Sequence, residues 1–307
     1  MTTASAPGKI ILFGEHAVVY NRPALAVPIT QVHAEVEITT ARADIWIDAP
    51  DISLQTNLIT LPADHAIRRV IERTLQALKI VSPPALNIRI KSSIPVAAGL
   101  GSGAAVSVAL IQALSGHLGS LLNDEMVNNL CYEIEKIHHG TPSGIDNTVI
   151  TYSRPVYFIK DQPIETFQVK SPFTLIIADT GLPAPTRESV SDVRKLWTAN
   201  PTHWNQVFDR VGSIVRQARQ VIENGNWQEL GALMDANHAC LQEMTVSSVE
   251  LDRLVLTAKT AGALGAKLSG GGRGGNMIAL VSPETAPKVA SALLAAGASH
   301  TIITTIQ

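Results

Sequence analysis

Three segments of the 307-residue chain carry residue types and spacings that could do chemistry. The first is Gly99-Leu100-Gly101-Ser102-Gly103-Ala104-Ala105, between a strand-like run and a helix-like run. Glycines let backbone N–H groups approach a phosphate, and a helix N-terminus adds unpaired donors and the positive end of a dipole. No Gly-Lys-Ser/Thr follows, so this is not a Walker A loop; the chain's one Gly-Lys, Gly8-Lys9, precedes Ile10. Gly99, Gly101 and Ala104 also fit a loose dinucleotide fingerprint, with Asp124 downstream. That acid opens a helix, however, whereas a ribose contact needs it at the end of a second strand. The competing reading is a tight turn of small residues that lets a helix pack closely.

The second segment runs from Glu135 to Asn147, EKIHHGTPSGIDN. Glu135 follows Cys131 by one helical turn, beside an apolar stripe, and a carboxylate there needs a partner or a metal. Asp146 follows a Pro-Ser-Gly turn that could aim it at a substrate hydroxyl. Against these stand plain structural roles, a rim residue for Glu135 and a turn cap for Asp146. His138-His139 lacks the company of a metal motif and reads as a helix C-terminal cap.

The third segment is Ser269-Gly270-Gly271-Gly272-Arg273-Gly274-Gly275. It satisfies GxGxxG, but a strand follows where the dinucleotide motif needs a helix. Five glycines in six positions cost conformational entropy as a mere connector, which favours an anion-facing loop over a flexible linker. No GxSxG nucleophile elbow occurs, and neither Cys131 nor Cys240 has a plausible catalytic base nearby in sequence.

The elements that must position these groups follow from periodicity. Lys9–Phe13, Val32–Thr39 and Leu86–Ile90 read as strands, and Asp64–Lys79 as a helix. A helix opens at the glycine segment and runs to about Leu118. Another covers Asp124–His138, with Val127, Leu130, Cys131, Ile134 and Ile137 on one face, stopping at Gly140 and Pro142. TVITY from Thr148, VYFIK and FTLIIAD read as strands. Helices are predicted over about 187–198, 204–222, 227–243 and 248–262, the second with a sustained apolar stripe. The chain closes as strand, glycine run, strand, helix over about 284–296, strand. Blocks of strand and helix without strict alternation predict an α+β protein, divided near residue 170.

Composition narrows the function classes. Lys plus Arg number 24 and Asp plus Glu 26, a net charge of −2, which is no footprint for nucleic acid or an anionic membrane. Hydrophobic residues make up 46% and charged residues 16%, ample material for a large core and contrary to disorder. The uncharged stretch Ser92–Asn123 is broken by proline and glycines and is no membrane span. Two cysteines, with no signal-peptide pattern, predict a soluble, cytoplasmic protein.

Taken in order, APGKIILFGEHAVVY (6–20), IPVAAGLGSGAA (94–105), EKIHHGTPSGIDN (135–147), DTGLPAPTRESV (179–190) and KLSGGGRGGNMIAL (267–280) resemble one superfamily. It is that of galactokinase, homoserine kinase, mevalonate kinase and phosphomevalonate kinase. GEHAVVY with PSGIDN and DTG is most similar to the mevalonate kinase branch; the GEHTDY-like start of a galactokinase is missing.

The resemblance implies an α+β fold with two domains, 1–170 and 171–307. The first would be like the second domain of ribosomal protein S5, the second ferredoxin-like. It implies phosphorylation of the 5-hydroxyl of mevalonate, with ATP and Mg²⁺, in isoprenoid biosynthesis. Carried over by motif, Asp146 accepts the hydroxyl proton and Lys9 stabilises developing charge. Glu135 holds Mg²⁺, and the amides of Gly99, Leu100, Gly101, Ser102, Gly103 and Ala104 bind the ATP phosphates. Glu15, His16 and Thr186 form the substrate pocket, and homodimerisation is a further expectation.

Two departures stand out. The family's second serine after Gly-Leu-Gly, usually a hydroxyl for metal and phosphates, is Gly103, so Mg²⁺ would rest either on Glu135, ATP oxygens and water or on a hydroxyl from Ser102. The last glycine loop is interrupted by Arg273, which either meets a phosphate or points to solvent. The competing readings are a phosphomevalonate kinase, a kinase for another hydroxyl, a related decarboxylase, and a catalytically silent ligand-binding relative. Retention of Lys9, Glu135 and Asp146 together favours an active kinase.

Overall fold

The computed structural model describes residues 1–95, 99–139 and 143–307, with His138 and His139 described in backbone only. The expected stop signals Gly140 and Pro142 lie outside the described residues. The chain forms two compact units. One comprises Met1–Gly8, Thr30–Val96 and Gly101–Ser153; the other Lys9–Ile29, Ala97–Leu100 and Arg154–Gln307.

The chain opens with β1 (Thr2–Phe13), β2 (Ala24–Thr40), β3 (Ile45–Ala49) and β4 (Leu54–Asn57). Then come α1 (Ala66–Ala77), β5 (Leu86–Ser92), α2 (Ser102–His117), α3 (Asp124–His139) and α4 (Ile145–Tyr152). β1 pairs with β2, and each contributes one stretch to each unit.

In the first unit the strand order is β4-β3-β5-β2. Alternation sets the register: Val36 pairs with Ile90 and Ile38 with Ile88 on the buried face. On the other face Glu35 stands opposite Lys91 and Glu37 opposite Arg89. A one-residue slip would turn the isoleucines to water and separate those charges, so the register is strongly specified. Helix α2 packs against α1, α3, α4 and β5. Ala104, Ala105, Ala109 and Ala113 are buried in it, and such small side chains let the neighbouring helices approach closely.

Helix α3 buries Val127, Asn128, Cys131 and Ile134, whereas Ile137, expected on that face, is 45% exposed. Thr148–Tyr152, expected as a strand, lies in α4. Its β-branched residues favour strands only weakly, and tertiary contacts override them. Thr148 Oγ1 donates to the Gly144 carbonyl at 2.7 Å, and Asn147 Nδ2 donates to Asn128 Oδ1 at 2.6 Å.

The remaining elements are β6 (Val156–Phe158), β7 (Glu165–Thr166), β8 (Phe173–Asp179), α5 (Thr186–Ala199) and α6 (Pro201–Asn224). They continue with α7 (Leu230–Glu243), α8 (Val249–Ala261), β9 (Gly265–Ser269), β10 (Asn276–Val281), α9 (Ala286–Ala295) and β11 (His300–Ile306).

In the second unit Ala24–Ala26 of β2 pairs with β6, which pairs with β7. A separate antiparallel sheet has the order β11-β8-β10-β9. Strand, helices, two strands, helix and strand in that order make it ferredoxin-like. The stripe of α6 buries Trp204, Val207, Phe208, Val211, Val215, Ala218 and Ile222. The helix starts at Asn200, whose side chain accepts from the His203 N–H, with Pro201 at its first position; Gly225 in the left-handed region ends it. The protein is therefore α+β, as its element blocks predicted.

Candidate active site

In the first unit, Gly101 has φ +77° and precedes α2. A glycine offers no capping side chain, so the first-turn N–H groups of Ser102, Gly103 and Ala104 suit an anion. Across from that turn stands Glu135 of α3: its Oε1 lies 3.8 Å from the point a Cβ on Gly103 would occupy. One turn earlier on α3, Cys131 Sγ lies 3.8 Å from the Ala104 carbonyl. Burial raises the Cys131 pKa most, and the charges of Glu135 and then Asp146 raise it further. Both carboxylates therefore act on one buried thiol beside the start of α2. Asp146 sits in the first turn of α4, after Gly144 at φ +89°, held by the buried contacts of Asn147 and Thr148.

The second unit holds Lys9, Glu15, His16 and Thr186. Lys9 is buried at the second unit's first residue, and its N–H donates to the Leu100 carbonyl at 3.0 Å. Gly99, at φ +75°, comes close to Asn276 Nδ2. The first two residues of the phosphate segment thus lie against Lys9 and the start of β10. After β1 the chain turns at Gly14, φ +99°, where a Cβ would stand 2.5 Å from Ala24 Cα. The Gly14 N–H donates to Asn237 Oδ1 at 3.3 Å.

Glu15 and His16 are both buried. Glu15 Oε1 accepts from Lys267 Nζ, which also donates to the Leu268 carbonyl at 2.6 Å. Burial pushes Glu15 up and Lys267 down, while their mutual attraction opposes both shifts. Glu15 Oε2 is buried without a hydrogen-bond partner among the described residues. His16 Nε2 lies 3.1 Å from the Gly271 carbonyl, which can only accept, so Nε2 carries the proton. Burial first, and the charge of Arg273 as well, lower the His16 pKa to about 4. The neutral ring then presents Nδ1, also buried and unpartnered among the described residues, as an acceptor for a ligand hydroxyl.

Thr186, the first residue of α5, packs on the same glycine: a Cβ on Gly271 would stand 2.6 Å from Thr186 Oγ1. Two more glycines of this loop are held by close packing. A Cβ on Gly272 would fall 2.0 Å from the Val246 carbonyl, and one on Gly274 2.5 Å from the Pro183 carbonyl. Close packing thus accounts for Gly271, Gly272 and Gly274, whereas a Cβ on Gly270 would meet nothing within 4 Å. The guanidinium of Arg273 reaches α5, where its Nη1 donates to Asp192 Oδ2 at 2.6 Å.

The structure brings Glu15, His16 and Thr186 around Gly270–Gly271, and Gly103, Glu135 and Asp146 around the start of α2. Sequence reading missed Lys267, although a lysine within the buried strand Ala266–Leu268 was a visible signal. It also missed Asn237 and Asp192, which nothing local marks. Among the described residues no group of three or more His, Cys, Asp and Glu is placed to hold a metal; the side chains of His138 and His139 lie outside them.

Residues 65–154 match the GHMP kinases N terminal domain, and residues 218–299 the GHMP kinases C terminal model. A mevalonate kinase of Thermococcus gammatolerans is 36% identical over 97% of this chain and 94% of its own length. The chain belongs to the GHMP kinase family. A second relative within it, the mevalonate kinase of Methanothermobacter thermautotrophicus, is 33% identical over 91% of this chain and 89% of its own. The crystal structure of L. major mevalonate kinase in complex with R-mevalonate superimposes with a TM-score of 0.86. It is 31% identical and covers 100% of this GHMP kinase and 96% of the other chain. A Streptococcus pneumoniae phosphomevalonate kinase, at 15% identity and TM-score 0.81, shares the fold.

Proposed function

We propose that this chain is a mevalonate kinase, transferring the γ-phosphoryl group of ATP to the 5-hydroxyl of (R)-mevalonate in isoprenoid biosynthesis. The observation that carries this is the 36% identity along nearly the whole of both chains to a mevalonate kinase. Phosphoryl transfer asks for positioning and charge neutralisation more than covalent chemistry. In this reading the N–H groups of Gly99–Ala104 receive the phosphates, and Asp146 takes the proton of the attacking hydroxyl. Lys9, beside Leu100, offsets charge developing there. Glu15, His16 and Thr186 hold the substrate, His16 accepting from a hydroxyl through Nδ1.

Magnesium fits the residues present. Glu135 faces the first turn of α2, and Mg²⁺ is commonly held by one or two carboxylates together with substrate phosphates. Glu135 and the Ser102 hydroxyl would hold it, where it would neutralise phosphate charge. Both cysteines are free and buried, as a cytoplasmic enzyme keeps them. Homodimer assembly rests on the family resemblance.

Coupled measurement of ADP release tests the activity. ATP consumption should require mevalonate; consumption equally supported by 5-phosphomevalonate, or by neither, would contradict the reading.

A further inference from the structure

We infer that Arg273 latches the last glycine loop to α5 and thereby positions Thr186 and His16 for the substrate. This inference rests on the mevalonate kinase reading and concerns the same pocket. Arg273 is the one non-glycine among residues 270–275, and its backbone is in the left-handed region at φ +60°. An L-residue is held there against its preference when the surroundings fix it. Two contacts do so. Its N–H donates to the Val246 carbonyl at 2.8 Å, and its guanidinium is paired with Asp192 at 2.6 Å. Asp192 lies on α5, and its other oxygen accepts from Lys195 at 2.8 Å.

The two ends of this latch are the two sides of the pocket. Two residues before Arg273, Gly271 contacts Thr186 and accepts from His16. Six residues before Asp192, Thr186 begins the same helix. Loosening the Arg273–Asp192 pair frees the start of α5 to move off Gly271, and both Thr186 and the carbonyl that orients His16 lose their register. Arg273 is a positioning residue here: its guanidinium is engaged by α5, so its effect reaches the substrate through Gly271 and Thr186.

The test is steady-state kinetics with mevalonate and ATP varied independently, on Arg273→Gly, Asp192→Asn, their double variant and Arg273→Lys. Glycine suits φ +60°, so Arg273→Gly keeps its fold, which a thermal melt checks. Each single variant should raise KM for mevalonate roughly two- to fivefold, as loss of a half-exposed ion pair does, with kcat and KM for ATP unchanged. The double variant should be no worse than the larger single, and Arg273→Lys should lie nearer the parent than Arg273→Gly. Unchanged KM for mevalonate, additive effects, or a rise in KM for ATP instead would overturn the latch while leaving the kinase reading intact. No mevalonate turnover by the parent chain would overturn both.

Discussion

Oε1 of Glu135 stands 3.8 Å from the place where a side chain on Gly103 would begin. That is ordinary van der Waals spacing, and Gly103 has no left-handed φ, so a serine fits without strain. Its hydroxyl would add an oxygen beside the carboxylate proposed to hold Mg²⁺. Gly103→Ser should lower the Mg²⁺ concentration for half-maximal activity by up to about tenfold. Magnesium titration of the rate checks this; an unchanged or higher requirement would show that the metal does not sit between Glu135 and the first turn of α2.

Asp146→Asn removes the proposed proton acceptor and keeps the shape of the first turn of α4. Turnover should fall by roughly 10²–10⁴, the usual weight of general-base catalysis. Displacement of a fluorescent ATP analogue should show nucleotide affinity close to that of the parent. Near-parental turnover would assign the proton transfer elsewhere.

His16 makes stability depend on pH. Its folded pKa of about 4 lies below the ordinary 6.5, so between those values the unfolded chain binds a proton that the folded chain refuses. Its contribution is complete above about pH 6.5 and declines as pH falls toward 4, by about 2 kcal/mol at pH 5. His238, also lowered by burial, acts in the same direction. Urea unfolding at about pH 7.5 and about pH 5 should show the drop, and His16→Gln should make it shallower. An equal drop in both proteins would mean that His16 titrates normally in the fold.

Lys267 and Glu15 are buried together, side chains 0% and 1% exposed. Lys267→Met leaves the Glu15 carboxylate buried without its cation and should cost about 3–5 kcal/mol. Adding Glu15→Gln should recover a large part of that loss, since no buried charge then remains. Chemical denaturation of the two variants checks it; equal losses would show that the carboxylate is neutralised by other groups.

Legibility in the sequence followed the strength of local patterns. Leu86–Ile90 alternates cleanly and forms its strand, and the apolar stripe of α6 lies buried as its spacing predicted. Thr148–Tyr152 misled because its β-branched content is set by burial on α4, a tertiary effect that no window of neighbours reports. The short strands β3 and β4 were missed: five and four residues are too few for a periodic signal. Glu135 and Asp146 were legible as candidates, but their common influence on Cys131 required the packing of α2, α3 and α4. For Arg273 the sequence leaves phosphate and solvent both open, because its partner Asp192, 81 residues away, lies outside any local window.

The central claim is which atom receives the phosphoryl group, and phosphorus NMR of the product reads it directly. After incubation with Mg-ATP and racemic mevalonate, the account predicts one new phosphomonoester, coupled to the C5 methylene protons, in up to half of the mevalonate. A phosphoester at another carbon, or none from a folded protein, would contradict it.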